Sequence, residues 1–206
     1  GAIARQFTLN LAGHTIAPAA DYKYSDYPLV FIGLNQSVTI TGEGKITANG
    51  RTTIGVYGYL NLENVTVENT GAYQADEGTV AVWHWDNEPG YNGLAAGTAA
   101  INGATIIGRV YNESDLEINS GTWRNAYAGS YANTITGNGT LIFNGGTVNK
   151  IGVIYNGTFN GNANITINGG TVGTLCAGAL NTGTVGGTAS VTLTGGTIQS
   201  TVTTKN

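Results

Sequence analysis

The chain has 206 residues, of which 33 are glycine and 10% are charged, and its net charge is −4. Its eight lysine and arginine residues are scattered singly, which argues against nucleic-acid binding, since that interaction needs clustered positive charge. No apolar run approaches the roughly 18 to 20 residues of a membrane-spanning helix, so membrane insertion is not expected, and the hydrophobic fraction of 41% excludes disorder by composition.

Short segments of alternating apolar and polar residues recur along the chain. In each segment the alternation is interrupted by a turn and ends on a large apolar residue. They are residues 7–16, 37–46, 59–67, 99–106, 114–123, 140–148, 164–172 and 190–198. Alternation with a period of two predicts strands, because successive side chains then point to opposite faces. The last segments recur about every 25 residues, a spacing typical of stacked repeats. The sequence thus predicts an all-β fold, a β-solenoid of about eight coils.

A second phrase lies between these segments and reads IGVY at 54–57, IGRVYN at 107–112 and IGVIYN at 151–156. It predicts a second strand in each coil, and a third short strand would close a three-sided coil with parallel sheets. Equivalent side chains of neighbouring coils should then stack. We expect Ile165 to lie over Leu141 in the interior, and Asn168 to lie beside Asn144 at the turn.

The opening TLNLAGHTI, the later VTITG and the ITINGGTV coils together resemble a known family. They are similar to right-handed parallel β-helix proteins of the pectate-lyase-like superfamily, in the Gly/Thr/Asn-rich form of bacterial surface and secreted proteins and some phage tail proteins. The resemblance covers residues 7–203 and implies one right-handed β-helix domain over residues 1–206, located outside the cell or on its surface. Because the chain has no methionine, we expect it to be processed or excised from a larger protein.

Two segments interrupt the coils, a short one at 17–26 and an insertion at about 68–97. The insertion contains a cluster of aromatic and polar residues: Trp83, His84, Trp85, Asp86 and Tyr91. Flat aromatic rings beside polar groups are typical of a sugar site, so these residues are candidates for ligand binding. Two alternatives stay open: the tryptophans pack the insertion onto the solenoid, or they form an interface with another domain or subunit.

Three tyrosines share a place in the second phrase: Tyr57, Tyr111 and Tyr155. In a regular solenoid they would form a column. If they face outward, the column is an aromatic strip suited to a polysaccharide chain. If they face inward, the rings fill the interior. The sequence leaves both possibilities open.

The insertion and its border also carry five carboxylates that could hold Ca²⁺: Glu68, Asp76, Glu77, Asp86 and Glu88. Their spacing matches no calcium-binding loop, so solvated acidic loops are the ordinary explanation, and no cofactor is predicted. The single cysteine, Cys176, lies among small apolar residues and is expected to be a buried thiol.

The predicted function is that of a non-enzymatic module, a rigid spacer with an adhesive or carbohydrate-binding role. The chain lacks the NTD, DD, GHG and RIK motifs that the resemblance would require of a polygalacturonase, so no catalytic residue is assigned. Expected partners are a glycan or host-surface ligand, and neighbouring domains or subunits at the ends of the solenoid. The alternatives are a polysaccharide lyase, hydrolase or phage tail-spike domain, and a structural subunit of a trimer or filament.

Overall fold

The structure of the chain is a computed structural model that describes residues 5–19, 28–49, 52–71, 79–82, 97–112, 115–127, 134–135, 138–154 and 156–203. These residues form strands and turns, with no helix among them. The described part of the chain accordingly holds no helix of the length and apolarity that crossing a membrane requires. The prediction of an all-β fold is confirmed.

The strands are named in chain order. They are β1 Arg5–Asn10, β2 Thr15–Ile16, β3 Val30–Ile32, β4 Gln36–Thr41, β5 Lys45–Ala48, β6 Ile54–Val56, β7 Tyr59–Glu63, β8 Thr66–Asn69, β9 Val80–Val82, β10 Thr98–Asn112, β11 Asp115–Tyr127, β12 Thr134–Ile135, β13 Gly139–Phe143, β14 Thr147–Ile154, β15 Gly157–Phe159, β16 Ala163–Ile167, β17 Thr171–Ala179, β18 Gly183–Val185, β19 Ala189–Leu193 and β20 Thr197–Thr203.

The strands associate as parallel ladders between successive repeats. The first ladder runs through β1, β4, β7, the start of β10, the start of β11, β13, β16 and β19. Every segment that the alternation singled out supplies one strand to it. Since each strand pairs with its equivalent in the next repeat, the chain advances along the ladder one repeat at a time.

Two further ladders follow the same order. The second joins β2, β5, β8, the middle of β10 and β11, and then β14, β17 and β20. The third begins with β3, β6 and β9 and continues through the ends of β10, β11, β14, β17 and β20. A short sheet of β12, β15 and β18 lies beside them. All of these pairings are parallel, which is compatible with a β-solenoid.

The interior is filled by apolar side chains stacked in register. Ile165 lies opposite Leu141 and Ile167 opposite Phe143, so the stacking predicted from the sequence is confirmed. None of these four side chains is more than 1% exposed. Because burial of one such side chain stabilises a protein by about 1.5–3 kcal/mol, these columns are the main source of stability.

A column of asparagine side chains runs across successive repeats. Asn61, Asn102 and Asn119 lie within β7, β10 and β11, and Asn144 and Asn168 directly follow β13 and β16. Nδ2 of Asn168 donates to Oδ1 of Asn144 at 2.7 Å, as expected from the sequence. Asn144 donates to Asn119 at 2.7 Å, Asn119 to Asn102 at 2.9 Å, and Asn102 to Asn61 at 2.7 Å. Each internal amide both donates and accepts, so the column links successive repeats.

The substitution Asn144→Asp should break this column. The new carboxylate would have no N–H group for Asn119, and its charge would lie beside Glu117, whose Oε1 now accepts from Asn144 Nδ2 at 3.1 Å. We expect the free energy of unfolding at neutral pH to fall by about 1–3 kcal/mol, measured by urea denaturation. The loss should shrink near pH ~3.5, because a protonated carboxyl has no charge and can donate.

The matched control is Asn164→Asp, which adds the same charge at an exposed position of β16. It should change the free energy of unfolding by less than about 0.5 kcal/mol. Equal losses in the two variants would show that the asparagine column does not stabilise the fold.

Candidate functional site: the aromatic corner

The third ladder passes into the first through a tight turn at Tyr57 and Gly58. The backbone N–H groups of both residues donate to the carbonyl oxygen of Ile32, at 2.8 and 3.2 Å. A Cβ at Gly58 would lie 2.4 Å from the carbonyl oxygen of Gln36 and 2.5 Å from that of Gly33. Only glycine therefore lets this turn lie directly on the preceding one, and the contact fixes where Tyr57 and the next strand begin.

Three aromatic residues lie at this turn. The ring of Tyr57 packs edge-on against Phe31, with the ring centroids 5.8 Å apart and the planes at 70°. Phe31 is 49% exposed and Tyr59 is 40% exposed, whereas Tyr57 is half-buried. We call Phe31, Tyr57 and Tyr59 the aromatic corner. It combines flat apolar surface with phenolic hydroxyl groups, which is the chemistry of a small-molecule or sugar surface.

Most of the ligand-binding residues predicted from the sequence lie outside the described residues. These are Trp83, His84, Trp85, Asp86, Tyr91 and Tyr155. The structure does place the strand that precedes them. β9 ends at Val82, which pairs with Val56, the residue before Tyr57. Trp83 is the next residue in the sequence after Val82.

The predicted tyrosine column is wrong for Tyr57 and Tyr111. Tyr111 pairs with Ala81, and Ala81 pairs with Gly55, two residues before Tyr57 in the chain. The phrases IGVY and IGRVYN look alike but are not structurally equivalent. In β10 the second ladder runs directly into the third, and Ile107 pairs with Glu68 of the second ladder. In the repeat that contains Tyr57, residues 49–53 separate β5 from β6. The similar sequences IGVY and IGRVYN therefore occupy different positions in their repeats.

Sequence reasoning missed Phe31 and Tyr59. In the sequence Tyr59 stands out only as the start of a repeat, although alternation places it on the outward face of β7, opposite Ser37 and Thr98. An aromatic residue at a position where both neighbouring repeats have a polar residue was therefore a usable signal. Phe31 gave no such signal, because it lies within an unbroken apolar run.

Part of the predicted insertion at 68–97 belongs to the sheets. Glu68 and Asn69 end β8, and Val80–Val82 form β9, whose three residues are no more than 1% exposed. The Glu68 carboxylate forms an ion pair with Lys45 and accepts a hydrogen bond from Thr47 Oγ1 at 3.3 Å. This suggested calcium ligand is thus engaged in a structural contact between β5 and β8.

The other suggested calcium ligands lie outside the described residues: Asp76, Glu77, Asp86 and Glu88. Within the described ranges, no group of three or more histidine, cysteine, aspartate or glutamate side chains is placed to hold a metal ion. Cys176 is 1% exposed, and its thiol donates to the carbonyl oxygen of Ala179 at 3.5 Å. The prediction of a buried thiol is confirmed.

Comparison of the chain with protein-family models, with curated proteins and with solved structures gives no match. The resemblance to pectate-lyase-like proteins stays a prediction from the sequence. The geometry of the aromatic corner is the observation from which a function can be argued.

The contact between Phe31 and Tyr57 can be tested with a double-mutant cycle. We expect Phe31→Ala and Tyr57→Ala to be non-additive, with a coupling energy of about 0.5–1.5 kcal/mol in the free energy of unfolding, because each substitution removes the same edge-on ring contact. Urea denaturation of the wild type, the two single variants and the double variant gives this energy.

The control cycle pairs Phe31→Ala with Thr192→Ala, a residue of β19 at the far end of the first ladder. These two changes should be additive within about 0.5 kcal/mol. A coupling for Phe31 and Tyr57 as small as that of the control pair would mean that the rings do not interact.

Proposed function

We propose that the chain is a single right-handed parallel β-helix of eight coils, which acts as a non-enzymatic rigid module and binds carbohydrate at the aromatic corner. The parallel pairing of each strand with its equivalent in the next repeat supports the solenoid. Connections between parallel strands of one sheet are right-handed in nearly all proteins, which supports the hand.

The ladders support the role of a rigid spacer. With strands about 4.8 Å apart, eight coils make a rod of roughly 40 Å. Its interior columns are fully buried at successive positions, as at Ile40, Leu62 and Ile101, and the asparagine column links successive repeats. A rod held by interior packing and by this column keeps a surface site in a fixed position.

The exposed ring of Phe31, which packs against Tyr57, and the exposed ring of Tyr59, two residues after Tyr57 in the chain, carry the proposal of carbohydrate binding. The C–H face of a sugar packs on a flat aromatic ring, and a phenolic hydroxyl can hydrogen-bond with the sugar hydroxyls. The chain has eight lysine and arginine residues against twelve aspartate and glutamate residues. A neutral polysaccharide is therefore a better ligand than an acidic one.

The sequence resemblance supports a place outside the cell. The repeated NGGT turns and the parallel ladders agree with the Gly/Thr/Asn-rich repeats of bacterial surface and secreted proteins. On this proposal the module belongs to a secreted or cell-surface protein, and neighbouring domains or subunits contact the ends of its solenoid.

Binding to a glycan array followed by calorimetry with neutral polysaccharides tests the proposal. Phe31→Ala and Tyr59→Ala should each weaken binding by about threefold to tenfold, because each removes one ring from the sugar surface. Trp83→Ala and Trp85→Ala test whether the segment that follows β9 in the sequence contributes. Thr192→Ala, at the opposite end of the first ladder, is the control and should leave the affinity unchanged.

Each outcome has a definite meaning. No binding to any glycan, or unchanged affinity in the corner variants and the tryptophan variants alike, would overturn the carbohydrate-binding role. Loss of binding only in the tryptophan variants would move the site from the corner to the segment after β9. Release of oligosaccharide from a bound polymer would contradict a non-enzymatic role and favour a lyase or hydrolase.

A further inference from the structure

Both ends of the first ladder expose side chains that belong to interior columns. Phe7 in β1 is 59% exposed, whereas Val38, its partner in β4, is 8% exposed. Leu193 in β19 is 52% exposed, whereas Ile167, its partner in β16, is fully buried. The exposure arises because no further strand covers β1 or β19 in the described part of the chain.

The two ends match one another in register. The interior column that begins at Leu9 ends at Leu193, and the column that begins at Phe7 ends at Val191. In the second ladder, the column that begins at Ile16 ends at Ile198. If β1 of another copy paired with β19 in this register, Phe7 would therefore lie beside Val191 and Leu9 beside Leu193, so each inward position would bring two apolar side chains together.

The edges carry little that would prevent such pairing. Natural edge strands are usually blunted by charge, proline or a bulge. β19 and β20 contain neither a charged residue nor a proline, and Arg5 is the one charged residue of β1. β20 carries a bulge between Ser200 and Thr203, whereas β19 and the start of β20, through Ile198, pair in unbroken register. The neutral, unbulged part of this edge can accept a further parallel strand.

The N-terminal end also has space for a partner. A half-open cavity of about 450 Å³ lies there, and its apolar lining includes Phe7, Leu9, Val38 and Ile40. Arg5 and Gln36 contribute polar groups to the lining. Apolar side chains of an added coil, such as Val191 and Leu193 of another copy, would fill this space.

We propose that this chain stacks head to tail on a second copy, with β19 and β20 of one copy pairing with β1 and β2 of the next. Only this arrangement continues the ladders with parallel strands. If two N-terminal ends met, the strands of the two copies would run antiparallel to each other. The contact joins different surfaces of identical molecules, so it does not close on itself and produces linear assemblies. This self-association needs no carbohydrate, but its surface meets the aromatic corner, because Phe31 also lines the cavity that the second copy would fill.

Sedimentation velocity of the 206-residue chain over a range of concentrations tests the stacking. The weight-average mass should rise above the monomer value of 21.1 kDa as concentration increases. Phe7→Lys blocks one end and Leu193→Lys blocks the other, so each variant alone should be monomeric. An equimolar mixture should form species of twice the monomer mass and nothing larger, because the two variants together keep one intact pair of ends.

The controls are Thr39→Lys and Asn164→Lys, which place the same charge on outward positions of β4 and β16, one strand inside each end. They should associate as the wild type does. A wild type that stays monomeric at all concentrations, a blocked variant that still associates alone, or a mixture that does not dimerise would each overturn the proposal.

A cross-linking experiment tests the register without adding charge. The outward column that begins at Thr8 ends at Thr192, so these residues would face each other across the joint. The double variant Thr8→Cys/Thr192→Cys should form a series of disulfide-linked multimers on oxidation, whereas Thr8→Cys alone should not form such a series. Cys176 is buried and does not interfere. Absence of multimers longer than a dimer would also overturn the proposal.

Discussion

In-register parallel stacking is the constraint on which this structure depends. Each residue lies directly beside its equivalent in the next repeat. Equivalent residues therefore form columns, and the residue type that is tolerated at one place depends on its neighbours in the column. Leu62, Ile101 and Ile118 are fully buried members of one column, and a polar residue there would lose its contact with water without gaining a partner. Asparagine is tolerated in the asparagine column because its amide both donates to one neighbour and accepts from the other.

The same constraint explains the repeated glycine turns. Gly170 has a φ of +75°, and a Cβ there would lie 2.7 Å from the carbonyl oxygen of Gly146 in the preceding turn. Stacked turns approach so closely that a side chain does not fit, and the backbone adopts a conformation that favours glycine. The NGGT phrase is thus a steric requirement of stacking. Specific binding is better sought where the repeat is irregular, as at the aromatic corner.

The pairing of the later repeats could be predicted from the sequence, whereas the contact between Phe31 and Tyr57 could not. In residues 139–198 the repeats have nearly equal lengths, so alternation and turn position were enough to place Ile165 opposite Leu141. In the first half of the chain, the connections between strands differ in length. Similar sequence segments there do not occupy equivalent positions, as Tyr57 and Tyr111 show. Phe31 contributes to the corner only because β3 pairs with β6, and no local pattern indicates that pairing.

By itself, the sequence determined the strand class, the inward and outward faces and the pairing of the regular repeats. These features follow from a period of two residues and from turns that recur at a fixed interval, both of which are local. The tertiary structure alone decided the assignment of β9 to the third ladder, the ion pair of Lys45 with Glu68 and the contact of Phe31 with Tyr57. Each of these depends on how many residues connect one ladder to the next, and the packing of one repeat on another decides where those residues lie.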